Sequence, residues 1–77
     1  MSRARKRSVA IRGHRTSFSI EDPFFRLLEE MAHARRMPLA GVVAEIDASR
    51  SRESNLSSAI RVTVLEWVLA RRQPQPD

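Results

Sequence analysis

At 77 residues and without cysteine, the chain has room for one domain with a thin core, and neither disulfides nor a thiolate metal site can reinforce it. The formal charge is +5, and the excess is local: six basic residues (Arg3, Arg5, Lys6, Arg7, Arg12, Arg15) and no acidic one precede Glu21, whereas eight basic residues face nine acidic ones from there on. No apolar run approaches a membrane span and the arginine-rich start does not suit a signal peptide, so a cytoplasmic protein with a polyanionic partner is expected.

Residues 1–7 lack apolar periodicity and read as a flexible basic arm; the charge there suits attraction to phosphates, or simply a solvated tail. A single domain is expected over residues 8–72. Ser8–Arg12 is a candidate strand. Gly13-His14 then suits a type II′ two-residue loop, placing Arg12 opposite Arg15, Ile11 opposite Thr16 and Val9 opposite Phe18. The alternative is an arm that runs on without pairing. Arg15 to Ile20 alternates, with Thr16, Phe18 and Ile20 on one side and Arg15, Ser17 and Ser19 on the other. A lone strand must find partners for its backbone, and a second copy from another subunit is the economical source. The expectation is therefore a homodimer whose two-stranded ribbon offers Arg15, Ser17 and Ser19 to duplex DNA.

A first helix is predicted from Pro23, capped by Asp22, with Phe24, Leu28, Met31 and Ala32 as its apolar stripe and Arg35 and Arg36 in its last turn. Met37-Pro38 breaks it. A second helix is predicted over Leu39–Ser49, with Val42, Val43 and Ile46 at helical spacing. Asn55 reads as the cap of a third helix, from Leu56 to about Arg71. Residues 73–77 read as a disordered tail. Phe18, Ile20, Phe24, Leu28, Met31, Val42, Val43 and Ile46 form the expected dimer core, and Trp67 belongs to the packing of the third helix.

Enzymatic activity is not expected. His14 and His33 are the only histidines, neither has a cysteine or an acidic pair suggesting a metal site or triad, and no metal or cofactor is implied. Binding to a membrane through the arm ranks last, because no apolar helical stripe adjoins it.

The order strand, helix, short break, helix over Arg15–Ser49 resembles the ribbon-helix-helix family, the Arc and MetJ type of bacterial repressor. Asn55-Leu56-Ser57-Ser58-Ala59-Ile60-Arg61-Val62 resembles the extra helix of a subgroup of small bacterial members. The resemblance implies a mainly α fold with a short N-terminal ribbon, an intertwined homodimer, and a third helix at the C-terminus. It also implies sequence-specific DNA binding by a transcriptional regulator, with Arg15, Ser17 and Ser19 reading base edges in the major groove. The free amides at Leu39 and Ala40 would hold a phosphate, assisted by Arg3, Arg5, Lys6, Arg7 and Arg12. The chain departs from the family at Pro38, where a hydroxyl is usual, and at Arg36, where a glycine is usual. Pairing of Ser8–Arg12 with the ribbon would make a sheet four strands wide across a dimer, too broad for a major groove. The competing reading is an interaction module, antitoxin-like or an adaptor, that docks a protein partner on the third helix. That helix is also where dimers would pair into tetramers.

Overall fold

The structure, a computed structural model, describes residues 3–72; the tail expected over residues 73–77 lies outside the described residues. Two strands, β1 (Arg5–Ile11) and β2 (His14–Ile20), form an antiparallel hairpin, followed by α1 (Asp22–Ala34), α2 (Leu39–Ser49) and α3 (Leu56–Arg72). The hairpin covers the helices with one face, and the second and third helices begin where their sequence signals place them.

The hairpin differs from expectation in its turn and its length. Arg12 and Gly13, with φ of +51° and +80°, are the loop residues, and Ile11 pairs with His14. Two positive φ angles make a type I′ loop, whose twist matches that of the flanking strands better than a forced alternative. The register moves by two residues, so Val9 faces Thr16 and Ala10 faces Arg15, and Arg12 no longer opposes Arg15. A shift of two preserves the faces, because side chains alternate with period two. The strand also begins at Arg5 rather than Ser8, so Arg5, Lys6 and Arg7 belong to the sheet and not to a flexible arm.

Phe18 and Ile20 from β2 meet Leu28, Met31 and Ala32 of α1, Val42, Val43 and Ile46 of α2, and Leu56, Ile60 and Val64 of α3. All but Phe24 of the residues expected in a dimer core are thus buried within one chain; Phe24 is half-buried. The reason is the cover given by β1 and α3. Val9 and Ile11 of β1 and Trp67 of α3 pack against this cluster.

The helix ends follow local chemistry. Asn55 caps α3 through its side-chain oxygen, which accepts from the Ser58 amide at 2.8 Å. Helix α1 begins one residue earlier than predicted: Glu21 holds the cap position without a side-chain cap bond, and Asp22 is the first helical residue. It ends in a Schellman motif, with the Met37 amide donating to the Ala32 carbonyl at 2.9 Å and the Arg36 amide to that of His33 at 3.1 Å. Arg36 carries this motif's left-handed residue at φ +55°, where a Cβ is unfavourable. Arg36→Gly is expected to stabilise the fold by about 1 kcal/mol, read as a higher urea midpoint with an unchanged slope.

Candidate nucleic-acid interface

Strand alternation sorts the hairpin into two faces. Arg5, Arg7, Val9 and Ile11 share the inward face with Thr16, Phe18 and Ile20, while Lys6, Ser8 and Ala10 lie across from Ser19, Ser17 and Arg15 on the outward one. Arg15 and Ser17 are exposed and Ser19 is half-buried, so the three expected base readers do share one face. The alternation within β1 was available in the sequence and would have added Lys6, Ser8 and Ala10 to that face.

The cations divide in the same way. Arg7 turns inward: its guanidinium donates to the Asp22 carboxylate and stacks over the Phe25 ring at 3.9 Å, with the side chain only 19% exposed. Arg5 lies 3.6 Å from the same carboxylate. Asp22, expected to cap α1, instead ties the first turn of that helix to β1. Arg7 was expected among the phosphate contacts; the fold occupies it. Arg3, Lys6, Arg12 and Arg15 are exposed, and no salt bridge engages them among the described residues.

A second set of contacts holds the outer edge of β2. The Ser19 amide donates to Ser57 Oγ at 2.9 Å, and Arg61 Nη2 donates to the Ser19 carbonyl at 3.2 Å. Arg61 also grips both carboxylate oxygens of Glu21, Nε to Oε1 at 2.9 Å and Nη2 to Oε2 at 3.3 Å. The hydrogen bond from Arg61, with a backbone hydrogen bond and the arginine's charge, holds the Glu21 carboxyl below its ordinary value of 4.5. Sequence reading placed Ser57 and Arg61 only within the third helix and gave neither a role.

The amides of Leu39 and Ala40 open the first turn of α2, where helix geometry leaves N–H groups without intrahelical partners. The other end of α2 neighbours the hairpin tip: Ala44, Asp47 and Ala48 line a small cavity with Ile11 and Arg12. Leu39 is therefore about 12 Å along the helix axis from Asp47, and the structure does not bring these amides beside Arg12. His14 is exposed opposite Ile11, and His33 is exposed in the last turn of α1.

A ribbon followed by three helices, with its polar face outward, agrees with the family comparison: the ribbon-helix-helix domain matches residues 4–68. The chain belongs to the ribbon-helix-helix family. Members are generally DNA-binding transcription regulators or antitoxins, typically non-enzymatic, and generally dimerise. No curated protein and no solved structure gives a significant match. In this ribbon-helix-helix chain, no helix among the described residues is long and apolar enough to cross a membrane.

The lowered pKa of Glu21 fixes the sign of a pH effect. A carboxylate held below its ordinary value stabilises the folded state above that range, and the contribution is lost as pH falls through the folded-state value. Glu21→Gln is expected to lower the urea midpoint at about pH 7, and the gap from the native protein should narrow progressively as pH falls below 4.5. A gap that persisted undiminished in acid would remove the ion pair as its cause.

Proposed function

We propose that the protein is a cytoplasmic, homodimeric transcriptional regulator of the repressor type that binds duplex DNA by setting the outward face of its ribbon into the major groove. The observation that carries this reading is the co-location of Arg15, Ser17 and Ser19 on that face, in a ribbon-helix-helix chain, beside a segment with cations and no acid. Arginine can grip guanine O6 and N7 bidentately, and serine can donate to or accept from any base edge. Arg3, Lys6 and Arg12 supply phosphate attraction without sequence information, Arg12 from the tip of the hairpin. The amides of Leu39 and Ala40 are a further phosphate contact in this reading.

A second reading takes support from α3. Val62, Leu65 and Leu69 are 56%, 48% and 54% exposed at helical spacing, and Val62 lines a groove of about 310 Å³ between α2 and α3. Such a stripe suits docking of another protein or pairing of dimers into tetramers. In that case substitutions on α3 would abolish function while Ser17→Ala would be tolerated.

The deciding experiment is selection of random duplex DNA by the purified protein at about physiological salt, with an Arg15/Ser17/Ser19 triple-alanine variant, checked for folding and oligomeric state, run in parallel. The native protein is expected to enrich a palindromic motif that the variant does not, each position costing about 1–3 kcal/mol. Salt-sensitive retention of all sequences by both proteins would defeat base reading by these residues. Arg12→Ala, by contrast, should weaken binding to all sequences alike and reduce the slope of log affinity against log salt by about one.

A further inference from the structure

We infer that α3 pairs with the α3 of a second copy of this chain, side by side and parallel, through Val62, Leu65 and Leu69. The inference rests on the second reading above, in which α3 is an association surface, and names its occupant. Along α3, Leu56, Ile60 and Val64 are buried and Trp67 packs against the core. At about 100° per residue, Val62, Leu65 and Leu69 fall on the opposite side of the helix, and about half of each remains exposed. Their spacing of three and then four residues is that of a coiled-coil seam, with Val62 and Leu69 at one seam position and Leu65 at the other. A β-branched residue at the first position followed by leucine at the second favours two parallel strands.

The charges beside the seam identify the occupant. Arg61 flanks the seam on one side and Glu66, five positions on, flanks it on the other. In a parallel pair of identical helices these are the positions that meet across the seam. Arg61 of each copy then lies opposite Glu66 of the other, so the surface is complementary to itself, as a two-fold contact requires. An antiparallel pair would instead bring the two Glu66 carboxylates together near its centre, where like charges repel. Both groups have capacity for this pairing. Glu66 is exposed and makes no salt bridge among the described residues. Arg61 engages Glu21 and the Ser19 carbonyl through Nε and Nη2, and its Nη1 makes no hydrogen bond among the described residues. A seam of three apolar side chains is short for a contact that stands alone. It suits chains already associated through another element, for which a second contact is intramolecular.

Because the native chain has no cysteine, single cysteines report the contact directly. Val62→Cys and Leu69→Cys, each alone, are expected to link two chains by a disulfide on mild oxidation, since each position meets its own copy in a parallel pair. Ala70→Cys, exposed on the same helix but beside the seam, should crosslink about tenfold more slowly. Crosslinking of Val62→Cys only with Leu69→Cys would mean antiparallel helices, and equal rates for all three would mean random collision; either overturns the inference. Added to Val62→Cys, Glu66→Lys should slow the crosslink, and more so at low salt, where the new repulsion with Arg61 is least screened. Leu65→Glu/Leu69→Glu is expected to raise the dissociation constant of self-association about tenfold, by sedimentation, while thermal unfolding stays that of a folded chain because both side chains lie at the surface. An unchanged constant without crosslinks overturns the inference. If, in addition, this variant no longer retains a protein that the native chain captures from cell extract, that protein is the occupant and the second reading stands; if capture does not change either, both fail.

Discussion

A strand has two edges, and every backbone group on both must be satisfied. For β2 this constraint organises the molecule. One edge is satisfied by β1 through a two-residue loop, and the other is closed at Ser19 by the first turns of α3. Because α1 follows Ile20 almost at once, its first turn lies between these two partners. Glu21 reaches Arg61 on one side and Asp22 reaches Arg7 on the other. The magnitudes separate two jobs. Fully burying side chains such as Ile20, Leu28 and Ile60 contributes about 1.5–3 kcal/mol each, while partly exposed ion pairs contribute about 0–1 kcal/mol. Bulk stability comes from the apolar cluster; the ion pairs fix where the hairpin and α3 sit on it.

The same geometry decides what the positive charge is for. Composition treats the cations before Glu21 as equivalent. The pleat does not: Arg5 and Arg7 fall on the inward side and meet Asp22, whereas Lys6 and Arg15 fall on the outward side and Arg12 on the tip. Half of a basic run in a strand is necessarily turned toward the core face, where it must be paired. Asp22 and the Phe25 ring provide for Arg7 there. What remains outside is a narrow polar strip whose Lys6 and Arg15 make no salt bridge among the described residues.

Much of this was legible in the sequence, for identifiable reasons. The Leu39–Ser49 helix follows a proline and has a clear apolar spacing, and Asn55 is a strong cap whose side chain does what its chemistry suggests. The outward position of Arg15, Ser17 and Ser19 followed from parity alone and survived a register error, because that error was two residues and not one. The turn was misplaced because local preference favours glycine at a positive φ and gives no reason to set Arg12 there as well. Arg5–Arg7 were read as a tail because charge masks alternation when the inward partners, Asp22 and Phe25, lie beyond the strand. Nor can local pattern tell whether a strand's neighbour comes from the same chain. The apolar residues expected in a dimer core had the right chemistry for burial, and all but Phe24 are buried already within one chain.

Membership of a fold family settles the order of elements, while the origin of each strand in the ribbon depends on edges. A chain with a single strand before its first helix has to borrow the second from a partner. Here a segment on the N-terminal side pairs with β2 on one edge, and α3 contacts the other edge at Ser19. Closing an edge with a helix is also how proteins prevent unwanted strand addition. The exposed apolar stripe of α3 lies on the same helix whose first turns close that edge. Subunit contact through that stripe would leave both hairpin faces open, whereas contact through β2 would consume the ribbon's edge and double its width. The contacts of Ser57 and Arg61 at Ser19 thus hold the start of α3 against β2, while the apolar stripe of the same helix stays at the surface.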